Sequence, residues 1–112
     1  MNREIKFRAW DKERKFMKYP KLWDNTMPSN WDVFYVLMQF TGLHDKNGKE
    51  GYHKDIARSG KRLFVIEWQN EEARFWLSPY KGTNDWQFMD MLKSFEIIGN
   101  IYENPELLNH NQ

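Results

Sequence analysis

Residues 41–56 read TGLHDKNGKEGYHKDI and gather His44, Asp45, His53 and Asp55 in one short stretch. Imidazole and carboxylate groups together can hold zinc or a similar ion, and a matched acid and base can move protons. The spacing fits no compact metal motif. An antiparallel hairpin centred on Asn47-Gly48 would nonetheless bring His44 and His53 roughly opposite each other. The competing reading is a turn. Asp45 is placed to open it by hydrogen bonding to the backbone, and Asn-Gly suits the positive φ angles of a type I′ hairpin. Asp55 precedes Ile56 at the head of a strand, where a carboxylate can cap the amides of the neighbouring turn. One carboxylate without a convergent partner cannot carry acid–base chemistry. The stretch is therefore expected to be a hairpin tip with exposed histidines, and no catalytic residue, metal or cofactor is assigned to it.

Two other residue sets bear on function. Lys46, Lys49, Lys54, Arg58, Lys61 and Arg62 make this half locally basic, and Trp68, Phe75 and Trp76 are candidate stacking platforms. Basic grooves with aromatic platforms bind single-stranded nucleic acid. Against that, 17 basic residues face 16 acidic ones, for a net charge of +1. Nucleic-acid domains usually carry a clear basic excess, so this reading is the alternative and not the favoured one. Trp68 and Trp76 flank the Asn-Glu-Glu-Ala turn, and Trp68 is expected in the core. The remaining tryptophans, Trp10, Trp23, Trp31 and Trp86, exceed what a small core needs. Trp and Tyr dominate interface hot spots, so Trp76, Trp86, Trp31 and Trp23 are the candidate interaction residues. The glycines are scattered and none opens a phosphate-cradling loop; Gly99, inside a strand, marks a bulge or a close backbone approach. No serine sits in a nucleophile elbow.

The elements around these residues read as short strands. Ile5 to Ala9 alternates apolar and basic, which predicts a strand with Ile5, Phe7 and Ala9 inward. Asp11 to Lys15 connects it to a returning strand at Phe16–Tyr19, and Pro20 and Pro28 bracket an exposed loop. Trp31 to Phe40 is the most apolar run, and its β-branched and aromatic residues favour strand over helix. Strands follow at 55–58, 62–69 and 74–78, with Phe64, Ile66 and Trp68 on the core face. Trp86, Met89 and Leu92 lie at helical spacing, which predicts a short helix over 84–92 capped by Asn84 or Asp85. A last strand covers 95–102. Pro105 opens one C-terminal helical turn, and the tail at 109–112 frays. Fold class is therefore mostly β: a small antiparallel barrel or meander of short strands, with one short helix near 84–92 and the C-terminal turn.

A chain of 112 residues makes one domain, 1–112. Its six Trp, eight Phe and five Tyr hold a small core, because each buried aromatic removes on the order of 150–250 Å² from water. The absence of cysteine excludes disulfides, thiolate nucleophiles and Cys-ligated zinc, and fits the cytoplasm. The N-terminus lacks the apolar segment of a signal peptide. No apolar run approaches the roughly 20 residues that span a bilayer, so no membrane partner is expected.

Three blocks, REIKFRAWD, TGLHDKNGKEGYHKDI and FEIIGNIYENPELL, together resemble the YopX protein family of phages and prophages. They come in the family's order and leave 18–38 and 80–93 unmatched. The motif positions that carry the resemblance are Thr41, Gly42, Leu43, Asp45, Asn47 and Gly48, then Asp55 and Ile56, then Gly99, Asn100, Tyr102 and Pro105. One departure stands out. The family pattern continues KNGKEIYEGDIV, whereas this chain has Gly51-Tyr52-His53-Lys54-Asp55-Ile56. His53-Lys54 replaces Glu-Gly, which argues against an acidic role there and predicts a different backbone bend before the strand. The resemblance implies a mostly β fold, a phage or prophage origin and homo-oligomers; it brings no reaction, cofactor or catalytic residue. The resulting expectation is a non-enzymatic, oligomeric interaction module acting on a bacterial or phage protein in the host cytoplasm.

Overall fold

The computed structural model describes residues 4–19, 31–81 and 84–109. The loop expected between Pro20 and Pro28, and the tail after Asn109, lie outside the described residues. In chain order the elements are β1 (Phe7–Asp11), β2 (Phe16–Lys18), α1 (Trp31–Phe34), β3 (Tyr35–His44), β4 (Glu50–Tyr52), β5 (Asp55–Ser59), β6 (Arg62–Gln69) and β7 (Arg74–Pro79). Then come β8 (Gln87–Phe88), a 3-10 helix (Met89–Ser94), β9 (Glu96–Asn100) and α2 (Glu106–Asn109). Every strand pairing is antiparallel. The strands form two sheets, ordered β2-β1-β3-β4 and β8-β7-β6-β5-β9. The mostly β, antiparallel expectation is met.

The core lies on one face of the five-stranded sheet. Phe64 and Ile66 of β6, Phe75 and Leu77 of β7, Ala57 of β5 and Ile97 of β9 form it, and Met89, Leu92 and Phe95 close it from above. Cross-strand register explains the set: Ile66 faces Leu77 and Ala57 faces Phe64, so alternation puts them on one side. Trp68 continues that alternation opposite Phe75 but is 43% exposed, not core as expected. It sits at the strand end, past the cover given by the 3-10 helix, and its ring meets Phe75 edge-on at 5.0 Å.

Other departures have local causes. The 31–40 run opens with one helical turn before β3, and the Phe34 carbonyl that ends it accepts the Lys12 N–H at 2.9 Å. Ala9 of β1 is buried, but Ile5 lies before the strand and is exposed, while Arg8 and Trp10 on the opposite face of β1 are buried too. That face is covered because Trp10 stacks on Tyr102, with ring centroids 5.8 Å apart, and Arg8 meets Asp55. The helix expected over 84–92 starts only at Met89. Gln87 and Phe88 instead pair with β7, and no Asn84 or Asp85 side chain caps it. Met89 and Leu92 share the buried face as their spacing requires; Trp86 does not. The last strand stops at Asn100, whose Oδ1 accepts the N–H groups of Tyr102 and Glu103 and turns the chain.

The turns place residues in the left-handed region. Gly48 has φ +84° and its N–H donates to the Asp45 carbonyl at 3.0 Å, so Lys46 and Asn47 form the turn centre. This is the type I turn with a left-handed bulge residue, not the type I′ turn expected from Asn-Gly. The β6–β7 hairpin repeats the plan: the Ala73 N–H donates to the Asn70 carbonyl, and Ala73 has φ +52°. A Cβ disfavours that region by about 1 kcal/mol. Glycine's extra unfolded entropy offsets about 0.4–1 kcal/mol of that relief, so Ala73→Gly is expected to be neutral or to stabilise the protein by at most about 0.5 kcal/mol in urea unfolding. A destabilised variant would show that Ala73 is not strained.

Candidate functional site

The stretch that opened the question is a hairpin tip. Asp45 is 5% exposed, and its Oδ1 accepts the N–H groups of Asn47 at 2.8 Å and Lys49 at 2.9 Å. Its Oδ2 reaches the other sheet and accepts the Ile97 N–H at 2.8 Å, while the Lys46 N–H donates to the Phe95 carbonyl. His44 is exposed, lies edge-on to Phe40, and pairs in register with Glu50. His53 is half-buried beyond the end of β4, and its N–H donates to Gln39 of β3. The two histidines are not cross-strand partners. Among the described residues, no group of three or more His, Asp or Glu side chains is placed to hold a metal ion. Thr41 bonds Gly51 and Leu43 through its hydroxyl, Gly42 takes φ +88°, and Leu43 is partly exposed. These residues shape the bulged β3–β4 ladder.

Asp55 does cap the preceding turn, since its Oδ2 accepts the Tyr52 N–H at 2.8 Å. Its stronger partner was not legible in the sequence. Arg8 Nη2 lies 2.8 Å from Asp55 Oδ1, and both side chains are 3% exposed. The same Nη2 donates to the His53 carbonyl, and the guanidinium lies over the Tyr52 ring at 4.7 Å. Burial pushes the Asp55 carboxyl above the usual range, and Arg8 and the Tyr52 amide pull it back only in part. Tyr52 is pushed up to about 12 by its own burial and by Glu50. Ile56 is fully buried beyond it. Gly99 fills both roles read from its sequence. The β5–β9 register shifts beside it, and an added Cβ would lie 2.7 Å from Asn104 Cγ. Asn100 and Tyr102 serve the next turn, and the Pro105 carbonyl accepts the Leu108 N–H at the start of α2.

The departure from the family pattern is resolved in two places. Lys54 has φ +76°, the left-handed region that glycine favours, so a lysine side chain here sits on a glycine-like backbone bend. Its ammonium lies 2.6 Å from Glu67 Oε1, with His53 Nε2 at 3.5 Å from the same oxygen. A Cβ on Gly51 would come within 2.6 Å of Leu92 Cδ2, so Leu92 occupies the space a side chain at 51 would need. Gly51→Ile alone is expected to cost about 1–3 kcal/mol by overpacking. Adding Leu92→Ala should recover part of that loss; a purely additive double variant would show the two positions do not share the volume.

Two carboxylates set the acid limb of stability. Burial raises the Asp45 carboxyl, but the Ile97, Lys49 and Asn47 amides outweigh it, and the net shift is down from 3.8. Glu67 is also lowered from 4.5: burial raises it, and hydrogen bonds from His53 and Lys54 more than offset this. A depressed native pKa stabilises above the unfolded value, and that stabilisation is lost as pH falls through the native one. The melting temperature should thus drop as pH falls below about 4, and Asp45→Asn should flatten that drop. An identical acid limb in the variant would refute the assignment to Asp45.

The basic set divides. Lys54 pairs with Glu67, Arg58 with Glu96 and Arg62 with Asp85, so half of it is charge-balanced by neighbouring carboxylates. The tryptophans are more distinctive. Trp76 of β7 stacks on Phe88 of β8 at 4.9 Å and meets Trp86 edge-on at 6.4 Å. The Arg74 guanidinium lies over both Trp76 and Phe88, at 4.6 and 4.8 Å. Trp86 is 44% and Phe88 53% exposed. Beside this cluster a groove of about 580 Å³ is lined by Gln39 and Thr41 of β3, Trp68, Phe75, Arg74 and Met89, among others. Two buried polar atoms without a partner, Gln69 Oε1 and Trp76 Nε1, lie on the strands beside it. Trp31 begins α1, and Trp23 lies outside the described residues. Sequence reasoning named Trp76 and Trp86 but missed Phe88 and Arg74; the i, i+2 spacing of Arg74 and Trp76 on β7 was the available signal.

An antiparallel two-sheet domain whose turns are locked by buried Asp and Asn side chains is the class these features define. A family model described as YopX protein matches residues 19–109, and the chain belongs to that family. Protein EF1440 from Enterococcus faecalis is similar in structure at 28% identity and a TM-score of 0.65, covering 96% of this chain and 99% of that one. Protein yopX from Bacillus subtilis shares the fold at 22% identity and a TM-score of 0.51, covering 92% and 95%. No curated protein matches the chain. Among the described residues, no helix is long and apolar enough to cross a membrane.

Proposed function

We propose that the protein is phage- or prophage-encoded and works by binding, not catalysis, as a homo-oligomeric interaction module. Its partner is a bacterial or phage protein met in the host cytoplasm. The observation that carries this reading is the aromatic cluster of half-buried Trp76 with exposed Trp86 and Phe88, organised around Arg74. Aromatic and arginine side chains are the residue types that concentrate binding energy at protein interfaces. Family membership supports the genetic context and adds no reaction. Ion pairing of Lys54, Arg58 and Arg62 weakens the nucleic-acid alternative.

The test is a tagged pull-down from prophage-carrying cells, with nuclease treatment, comparing wild type with Trp86→Ala/Phe88→Ala. A stoichiometric protein partner that survives nuclease and is lost in the folded double variant is the expected result. Loss of every partner on nuclease treatment, or equal recovery by the variant, would overturn it. Sedimentation equilibrium of the purified chain tests self-association separately, and a monomer at all concentrations would remove the oligomer from the reading.

A further inference from the structure

We propose that the groove between β3 and the β6–β7 hairpin seats an extended peptide segment of a protein partner, with one carboxylate beside a large apolar side chain. The inference rests on the binding reading above and names the chemistry of its partner.

Four observations converge. The groove volume of about 580 Å³ falls in the range of ligand sites, roughly 300–1,000 Å³. Its walls are Trp68, Phe75, Phe88 and Met89, and Trp68 leaves 43% of its surface open although it continues the core face. An apolar side chain inserted there would complete the cover that the 3-10 helix gives the rest of that face.

Arg74 supplies the polar anchor. Its guanidinium is held flat over Trp76 and Phe88, so its orientation is fixed before any ligand arrives. The carboxylate nearest it is Glu72 Oε1, at 3.8 Å, and Glu72 is exposed. That distance is beyond a hydrogen bond, so the donor fork is open to a bidentate carboxylate. Among the described lining residues the other charge is Asp90, which suits a peptide N–H and disfavours a second acid on the ligand. Gln39 and Thr41 give the groove a polar floor. A strand-like peptide presents these groups together, because its alternate side chains point to opposite sides and its amides lie between them. The single cation and the acidic Asp90 fit a nucleic-acid backbone poorly.

The experiment titrates the isotope-labelled full chain with acetyl-Asp-Phe-Leu-amide, its Asn twin and its Lys twin, following amide and indole resonances by NMR. The Asp peptide should shift Trp68, Ala73 and Phe75 and bind roughly tenfold tighter than the Asn twin. Arg74→Gln should erase the difference between the twins, Arg74→Lys should keep part of it, and Trp68→Ala should weaken all three peptides. No shift up to about 5 mM, equal binding of the three peptides, or shifts by oligothymidylate in place of the acidic peptide would overturn the proposal. A partner lost with Trp86→Ala/Phe88→Ala but kept by Arg74→Gln, with no peptide binding, would sink this inference and leave the interaction reading standing. Peptide binding at the groove with no captured protein would do the reverse.

Discussion

Arg8→Met is expected to destabilise the protein by about 3–5 kcal/mol in urea unfolding at neutral pH, a large fraction of a small domain's stability. The substitution roughly keeps the side-chain volume and removes the charge. What remains is Asp55, 2% exposed, with the Tyr52 N–H as its remaining hydrogen bond. Burial already holds its carboxyl above the usual range while Arg8 is present. Without Arg8 it rises further. A raised native pKa gives stability that is present below the unfolded value and lost as pH rises through the native one. The variant should therefore be more stable near pH 5 than near pH 8, opposite in sign to the acid loss assigned to Asp45. Arg8→Met/Asp55→Leu should recover much of the loss, because an apolar pair replaces a buried ion pair without leaving a charge alone. A cost under about 1 kcal/mol for the single variant, with no pH dependence, would show the pair is not desolvated as described.

Asp45→Ala is the second large effect, expected at about 3 kcal/mol or more because bonds to a charged acceptor are worth about 1.5–3 kcal/mol each. Three backbone N–H groups lose their acceptor at once: Asn47 and Lys49 in the tip, and Ile97 across in β9. The bonds are not additive, since the tip and its docking onto β9 fail together. Asp45→Asn keeps one acceptor oxygen and should fall between alanine and wild type. Equal stability of all three would mean that water replaces the carboxylate without cost.

The strands were legible where alternation and turn residues agreed. Phe64 and Ile66, closed by Gly60 at one end and Asn70 at the other, could be placed on a core face from their spacing alone. The Asx turn at Asp45 was legible for the same reason: its hydrogen bonds to Asn47 and Lys49 are local. Its third bond, to Ile97, spans 52 positions and leaves no local trace. Arg8 was read as the polar half of an alternating strand, because nothing near it in sequence shows that Asp55 waits on the far side. Trp68 failed in the other direction. Periodicity assigned it a face correctly, but a face is buried only where another element covers it, and the 3-10 helix ends short. The groove went unforeseen because it joins β3 to β7, which meet only in three dimensions.

The bond from Asp45 to Ile97 has a consequence for how the molecule behaves in a crowd. β9 is the outer strand of the five-stranded sheet, and such a strand normally offers free amides to any passing chain. Here the Ile97 N–H is taken by a carboxylate from the other sheet, the Phe95 carbonyl by the Lys46 amide, and the Asn100 N–H by the Asn104 side chain. These groups are taken by the chain itself, so strand-to-strand growth into aggregates finds fewer free amides on that side. Losing Asp45 would both loosen the fold and unseal a template. The first sign of its loss in a cell would then be insolubility, ahead of any change in binding.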